Sequence, residues 1–174
     1  MPLPLTDSRW DELQSSYNGC ENVVKWLTEA YAQGGFSEGR LGDLINEVRH
    51  QEGTCDAMYA VATHLIELAR NAPPKDALNL LIHAGDIYAQ SSKGDVDQCP
   101  EFLYDDFVRC ALEGAKMLSP LLRFAADFST YKYGVAALAG FIGHHEFARF
   151  LDGLEFHQGQ FEHALLGGPF PKEE

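Results

Sequence analysis

Apolar residues recur along this chain at intervals of three and four, which is the spacing of an amphipathic α-helix. The clearest example is the segment 21–33, where one helical face carries Val23, Val24, Leu27, Ala30 and Tyr31. No succession of short segments alternates between apolar and polar residues, as the strands of a sheet do. The pattern therefore predicts an all-α protein with no sheet.

Capping residues and helix breakers divide the chain into eight or nine predicted helices. Thr6 or Asp7 can cap the first helix, which places Trp10, Leu13 and Tyr17 at helical spacing. The others are predicted over residues 21–33, 41–50, 56–71, 75–90, 101–118, 121–128, 131–142 and 144–154, with a last turn or two at 160–166. Such helices pack as stacked hairpins, in a HEAT-like array or an irregular bundle, and the length fits a single domain over 1–174.

Glycine and proline mark the predicted ends of these helices. Gly34-Gly35 and Gly39 form a loop, Gly53-Thr54 a turn, and Pro73-Pro74 ends the helix at 56–71. The stretch 91–100 is polar and is the longest predicted loop. Ser119-Pro120 is expected to begin the helix at 121–128, because serine caps helices and proline is tolerated in their first turn.

The segment 131–142 carries no charge after Lys132, so we expect it to be the most buried helix. Its small residues would let neighbouring helices approach closely; they are Gly134, Ala136, Ala137, Ala139 and Gly140. Its large apolar residues are predicted to be buried; they are Val135, Leu138, Phe141 and Ile142.

The net charge of −13 comes from 26 acidic and 13 basic residues. This charge repels nucleic-acid phosphates and anionic lipids and attracts basic proteins, so a protein partner is expected rather than nucleic acid or a membrane. The start of the chain lacks a signal-peptide pattern, and the uncharged stretch 134–143 is far shorter than the roughly 20 apolar residues of a membrane span. Four widely spaced cysteines, without a Cys-x-x-Cys pair, indicate free thiols in a reducing compartment. The predicted location is the cytoplasm.

Two stretches of the chain combine turn and helix residues in a particular order. Residues 50–54, HQEGT, are followed by AMYAVATHLI at 57–66, and ALAGFIGH at 137–144 is followed by ARFL at 148–151. They resemble a group of small bacterial helical proteins with HEAT-like stacking, in which a His-Gln-x-Gly-Thr turn precedes a Tyr-Ala-Ala-x-x-His-Leu helix. The resemblance implies an interaction protein, and several acidic proteins of this kind look like immunity partners of interbacterial toxins. The chain departs from the pattern at Glu52 and Cys55, and no site residue is carried over.

The most acidic part of the chain lies between residues 92 and 106, where Lys93 is the only basic residue. An aromatic side chain among carboxylates is typical of a surface that covers the basic cleft of a nuclease. The same carboxylates can instead favour a helix N-terminus and solvate a loop. The candidate partner-binding residues are Asp95, Asp97, Glu101, Tyr104, Asp105 and Asp106.

Histidines concentrate near the end of the chain, and they raise the alternative of a metal site. Four of the seven lie in the last 31 residues, namely His144, His145, His157 and His163. Glu47-x-x-His50 has the spacing of a di-iron motif, but no second copy exists. His64 falls on an apolar helical face and is predicted to be a hydrogen-bonded core residue.

No nucleophile motif or phosphate-binding loop occurs in the sequence, so neither an enzyme nor a cofactor is expected. The leading hypothesis is an immunity or inhibitor protein that neutralises a cognate bacterial toxin, such as a basic nuclease, by covering its active site. One alternative is a helical adaptor or scaffold. Another is a metal-dependent enzyme that uses the C-terminal histidines.

Overall fold

The computed structural model describes residues 1–17, 19–49, 55–91 and 99–153. Within these ranges the chain forms seven α-helices, two short 3-10 helices and no strand, which confirms the all-α class. The count is lower than the eight or nine predicted for the whole chain. The helices are α1 (Glu21–Gln33), α2 (Arg40–Val48), α3 (Ala57–Ala69), α4 (Pro74–Gln90), α5 (Glu101–Leu121), α6 (Phe128–Phe141) and α7 (His145–Gly153).

The first predicted helix is a short 3-10 helix, Ser8–Glu12. Asp7 caps it as expected, because its carboxylate accepts a hydrogen bond from the Arg9 backbone at 2.9 Å. Trp10 is buried and donates its indole N–H to the carbonyl of Pro4 at 3.0 Å. Tyr17, predicted at helical spacing with Trp10, is 51% exposed, because the helix ends well before it.

The prediction of a separate helix at 121–128 is wrong. Helix α5 continues through Ser119 and Pro120 to Leu121, and a 3-10 turn, Leu122–Phe124, follows. Proline removes a backbone donor, but here it lies one residue before the helix ends, so little of the helix depends on the lost bond. Asp127 then caps α6 by accepting a hydrogen bond from the Thr130 backbone at 2.7 Å, and α6 therefore starts at Phe128.

The most buried helix is α3 rather than the predicted segment 131–142. Twelve of its 13 residues are buried, because Glu67 is its only charged residue and α1, α2, α4 and α5 surround it. Helix α4 lies at the centre of the other half, in contact with α3, α5, α6 and α7.

Helix α6 packs against α4 through its small residues. A Cβ atom on Gly140 would overlap the backbone of Gly85 and Ala89, so the two helices approach more closely than larger side chains allow. Because the small residues of α6 face α4, most of its large apolar residues are not in the core. Of the four that were expected to be buried, Phe141 is buried, Val135 and Leu138 are half-buried, and Ile142 is 54% exposed.

His64 is a hydrogen-bonded core residue, as predicted. Its Nε2–H donates to the carbonyl of Leu3 at 2.9 Å, and because a carbonyl only accepts, Nδ1 must accept the hydroxyl proton of Tyr31, also at 2.9 Å. The ring stacks on Trp10 at a centroid distance of 5.9 Å. Burial lowers the pKa of His64 to about 4, so the imidazole is neutral near pH 7.

All four cysteines are free. Cys20, Cys99 and Cys110 are buried, and Cys55 is half-buried. Burial raises the pKa of Cys20 and of Cys99 to about 12. Both thiols therefore stay protonated near neutral pH, and protonated thiols are poor nucleophiles.

Candidate protein-binding surface

Helix α5 carries the described part of the acidic segment. It begins at Glu101, directly after Pro100, and buries a face against α3 and α4. That face consists of Leu103, Phe107, Cys110, Gly114, Ala115 and Leu118. Asp95 and Asp97 lie outside the described residues, so only the four candidates from Glu101 onward can be placed.

Three large apolar side chains lie on the outer side of α5. Tyr104 is 44% exposed, Val108 50% and Leu112 58%. Their spacing of four residues aligns them in one row about 12 Å long, at about 1.5 Å per residue. We call Tyr104, Val108 and Leu112 the α5 ridge.

Carboxylates lie beside the Tyr104 end of this ridge. Glu101 and Asp105 are exposed and form no ion pair with another part of the chain that the structure describes. Both are therefore available to an external cation. Together with Tyr104 they make a surface that is both apolar and negatively charged.

Asp106 differs because it is already paired within the protein. Its Oδ1 accepts a hydrogen bond from the Met1 ammonium at 2.7 Å and a second from Arg109. Burial raises the pKa of Asp106, but the hydrogen bonds from Met1 and Arg109 outweigh burial and hold the pKa below its ordinary value. Of the four placed candidates, Asp106 is the one whose charge is largely compensated.

Arg109 links Asp106 to a surface ion-pair network. Its guanidinium lies 3.8 Å from Glu113, which also pairs with Arg70, and Arg70 lies 2.9 Å from Glu67. These contacts hold Glu113 and Arg109 along one side of α5.

The structure also contains a cleft between α4, α6 and α7, with a volume of about 280 Å³. Its apolar lining includes Ala89, Ala136, Ala137 and Ala148. Its polar lining consists of Asn79, His83, Asp86, Gln90, Thr130, Tyr133, Arg149 and Asp152. An apolar cleft with several polar side chains is a general ligand-site candidate, although nothing in this one selects a ligand class.

The charges around this cleft are nearly balanced. Asp86 forms an ion pair with Arg49, and both side chains are less than a third exposed. Burial and the nearby charge of Arg49 lower the pKa of His83, so its imidazole is neutral near pH 7. Arg149 and Asp152 supply one charge of each sign at the opposite wall.

The proposed C-terminal metal ligands are only partly placed. His144 is exposed and His145 half-buried, whereas His157 and His163 fall outside the described ranges. Glu47 of the Glu-x-x-His motif is buried and accepts a hydrogen bond from the Ser15 hydroxyl at 3.1 Å. Across the part of the chain that the structure covers, no three His, Cys, Asp or Glu side chains are grouped so that they could hold a metal ion.

No protein-family model, curated protein or solved structure matches this chain. Among the helices that the structure describes, none has both the length and the apolar character needed to cross a bilayer.

The sequence identified Tyr104 and its neighbouring carboxylates as a candidate site but missed Val108 and Leu112. The overlooked signal is a second apolar row at spacing four, on a helix whose core face is already supplied by residues such as Leu103 and Phe107. A helix with two separate apolar rows has one row more than its own core requires.

Proposed function

We propose that this protein binds a basic protein partner through the outer face of α5, and that it acts as an inhibitor or immunity protein of a bacterial toxin. The observation that carries the proposal is the exposure of Tyr104 beside Glu101 and Asp105, whose carboxylates form no ion pair within the part of the chain that the structure describes. Residues that contribute most of the binding energy at protein interfaces are often aromatic side chains surrounded by polar and charged groups.

The charge of the whole chain supports a basic partner. A net charge of −13 on 174 residues attracts a positively charged surface and speeds its encounter with the protein. Many toxins that act on nucleic acids have basic active-site clefts, because their substrates are polyanions. In this proposal, α5 covers such a cleft and excludes the substrate.

The architecture and compartment form part of the same proposal. A stack of helical hairpins of the HEAT-like kind would present α5 as an accessible outer element, and free thiols fit a cytoplasmic protein.

The test uses the full chain as bait in extracts of its native host, followed by binding kinetics with the captured protein. One variant removes the anchor and its two charges by combining Glu101→Gln, Tyr104→Ala and Asp105→Asn. A matched control removes two carboxylate charges and one exposed aromatic ring from α7; it combines Glu146→Gln, Phe147→Ala and Asp152→Asn.

We expect the wild type and the α7 control to capture the same basic protein and the α5 variant to lose it. The association rate should fall as salt rises, because exposed charges are screened within about 10 Å at 0.1 M ionic strength. A partner that the α5 variant still binds with full affinity would place the interface elsewhere. An acidic partner, or association that does not depend on salt, would contradict the electrostatic part of the proposal and favour the adaptor alternative.

A further inference from the structure

The α5 ridge is arranged symmetrically about its central residue. Val108 lies four positions after Tyr104 and four before Leu112. If a second copy of α5 is laid antiparallel across the first, with a two-fold axis at Val108, each Tyr104 meets the Leu112 of the other copy. The two Val108 side chains then meet at the axis. The apolar row is therefore complementary to itself.

The charges on the same face follow the same symmetry. Glu101 lies seven positions before Val108 and Lys116 eight after it, and both are exposed and without an ion pair in the described ranges. Antiparallel pairing brings each Glu101 to within one residue of the other copy's Lys116, which is about 1.5 Å along the helix axis. Asp105 and Arg109 come within two residues of each other across the pair, about 3 Å along the axis.

The orientation of the second copy follows from these charges. At about 100° per residue, the side chains of Asp105, Arg109 and Lys116 fall on one side of α5. A two-fold axis brings this side against its equivalent in the other copy, so opposite charges face each other. A parallel arrangement would instead place Glu101 beside Glu101 and Lys116 beside Lys116, which is repulsive.

We infer that the α5 ridge is a self-association surface, on which a second copy of this chain docks antiparallel about a two-fold axis at Val108. The dimer covers Glu101, Tyr104 and Asp105, so self-association and the binding of the proposed basic partner exclude each other. Only this mutual exclusion rests on the proposed function; the dimer itself does not require a partner.

The size of the surface sets the strength of the dimer. A stable interface buries roughly 800 Å² on each partner, and one row of three side chains on a single helix supplies less. The dimer is therefore in concentration-dependent equilibrium with the monomer. A partner with a larger complementary surface can displace the second copy.

The test is sedimentation velocity of the full chain over a wide concentration range, without any partner. Wild type should pass from monomer to dimer as concentration rises. Val108→Arg places two like charges at the axis and should raise the dimer dissociation constant about a hundredfold. Ile142→Arg introduces the same charge at a residue with similar exposure, 54% against 50%, directly after α6, and should leave the constant unchanged.

A charge exchange tests the register. Glu101→Lys alone and Lys116→Glu alone should each raise the dissociation constant about tenfold, because each creates two like-charge contacts in the symmetric dimer. The double variant exchanges the charges and should restore the constant to within about threefold of wild type. Circular dichroism on every variant checks that the helices remain folded.

Three results would overturn the inference. Wild type could remain monomeric at its highest soluble concentration, or Ile142→Arg could weaken the dimer as much as Val108→Arg. The double charge variant could also have a dimer dissociation constant raised by the product of the two single-variant effects, instead of one restored towards wild type. None of these outcomes involves the basic partner, so failure here is separate from failure of the proposed function.

Discussion

The buried imidazole of His64 makes the stability of this protein depend on pH. In the folded state burial lowers the pKa of His64 from 6.5 to about 4, whereas in the unfolded chain the imidazole takes up a proton near pH 6.5. Between these two values the unfolded state binds a proton that the folded state excludes. Burial of the neutral His64 side chain therefore contributes its full stabilisation above pH 6.5. This contribution is lost as pH falls towards 4, because protonation then favours the unfolded state.

The magnitude follows from the two pKa values. Each unit of difference corresponds to about 1.4 kcal/mol, so the free energy of unfolding should drop by about 3 kcal/mol between pH 7 and pH 4 through His64. Total stabilities of domains this size are about 5–15 kcal/mol. The loss is large enough to measure by urea unfolding.

The assay compares wild type with His64→Gln at several pH values and fixed ionic strength. Glutamine can still donate a hydrogen bond towards the Leu3 carbonyl, but it does not titrate. His83 also has a lowered pKa and remains in both proteins, so the difference between them isolates His64. The difference should shrink by about 3 kcal/mol from pH 7 to pH 4. A difference that stays constant over this range would show that His64 has the same pKa in the folded and unfolded states and would refute the argument.

Two further predictions concern packing, and unfolding by urea measures both. Gly140→Ala should destabilise the protein by about 2 kcal/mol, because the added methyl group overlaps the backbone of α4. As a control, the methyl group of Gly42→Ala on α2 meets no atom within 4 Å, so this variant should stabilise the protein by up to about 1 kcal/mol. Equal effects of the two substitutions would disprove the close approach of α4 and α6. Leu118→Ala should lower the free energy of unfolding by about 2–5 kcal/mol, because Leu118 is 0% exposed. Ile142→Ala should lower it by less than about 1 kcal/mol, because Ile142 is exposed. A large loss of stability in Ile142→Ala would mean that α6 is rotated relative to this structure.

Local signals in the sequence were sufficient where a helix begins and ends through its own residues. Helix α1 has the predicted bounds, because Gly34 adopts a left-handed conformation with φ of 72° that terminates it. Asp7 caps the first turn for a similarly local reason. The core position of His64 was also readable, since an imidazole on a continuous apolar face must find hydrogen-bond partners inside the protein.

What the sequence alone determined about this protein is therefore its all-α class, the positions of most helices and its acidic character. Only the tertiary structure decided which apolar faces meet other helices. Val108 and Ile142 have core-like chemistry but are exposed, because α5 and α6 already bury other faces, and α6 does so through glycine and alanine. The α5 ridge is exposed for the same reason. Hydrophobic spacing determines which residues share a helix face, but the neighbouring helices determine which face is covered.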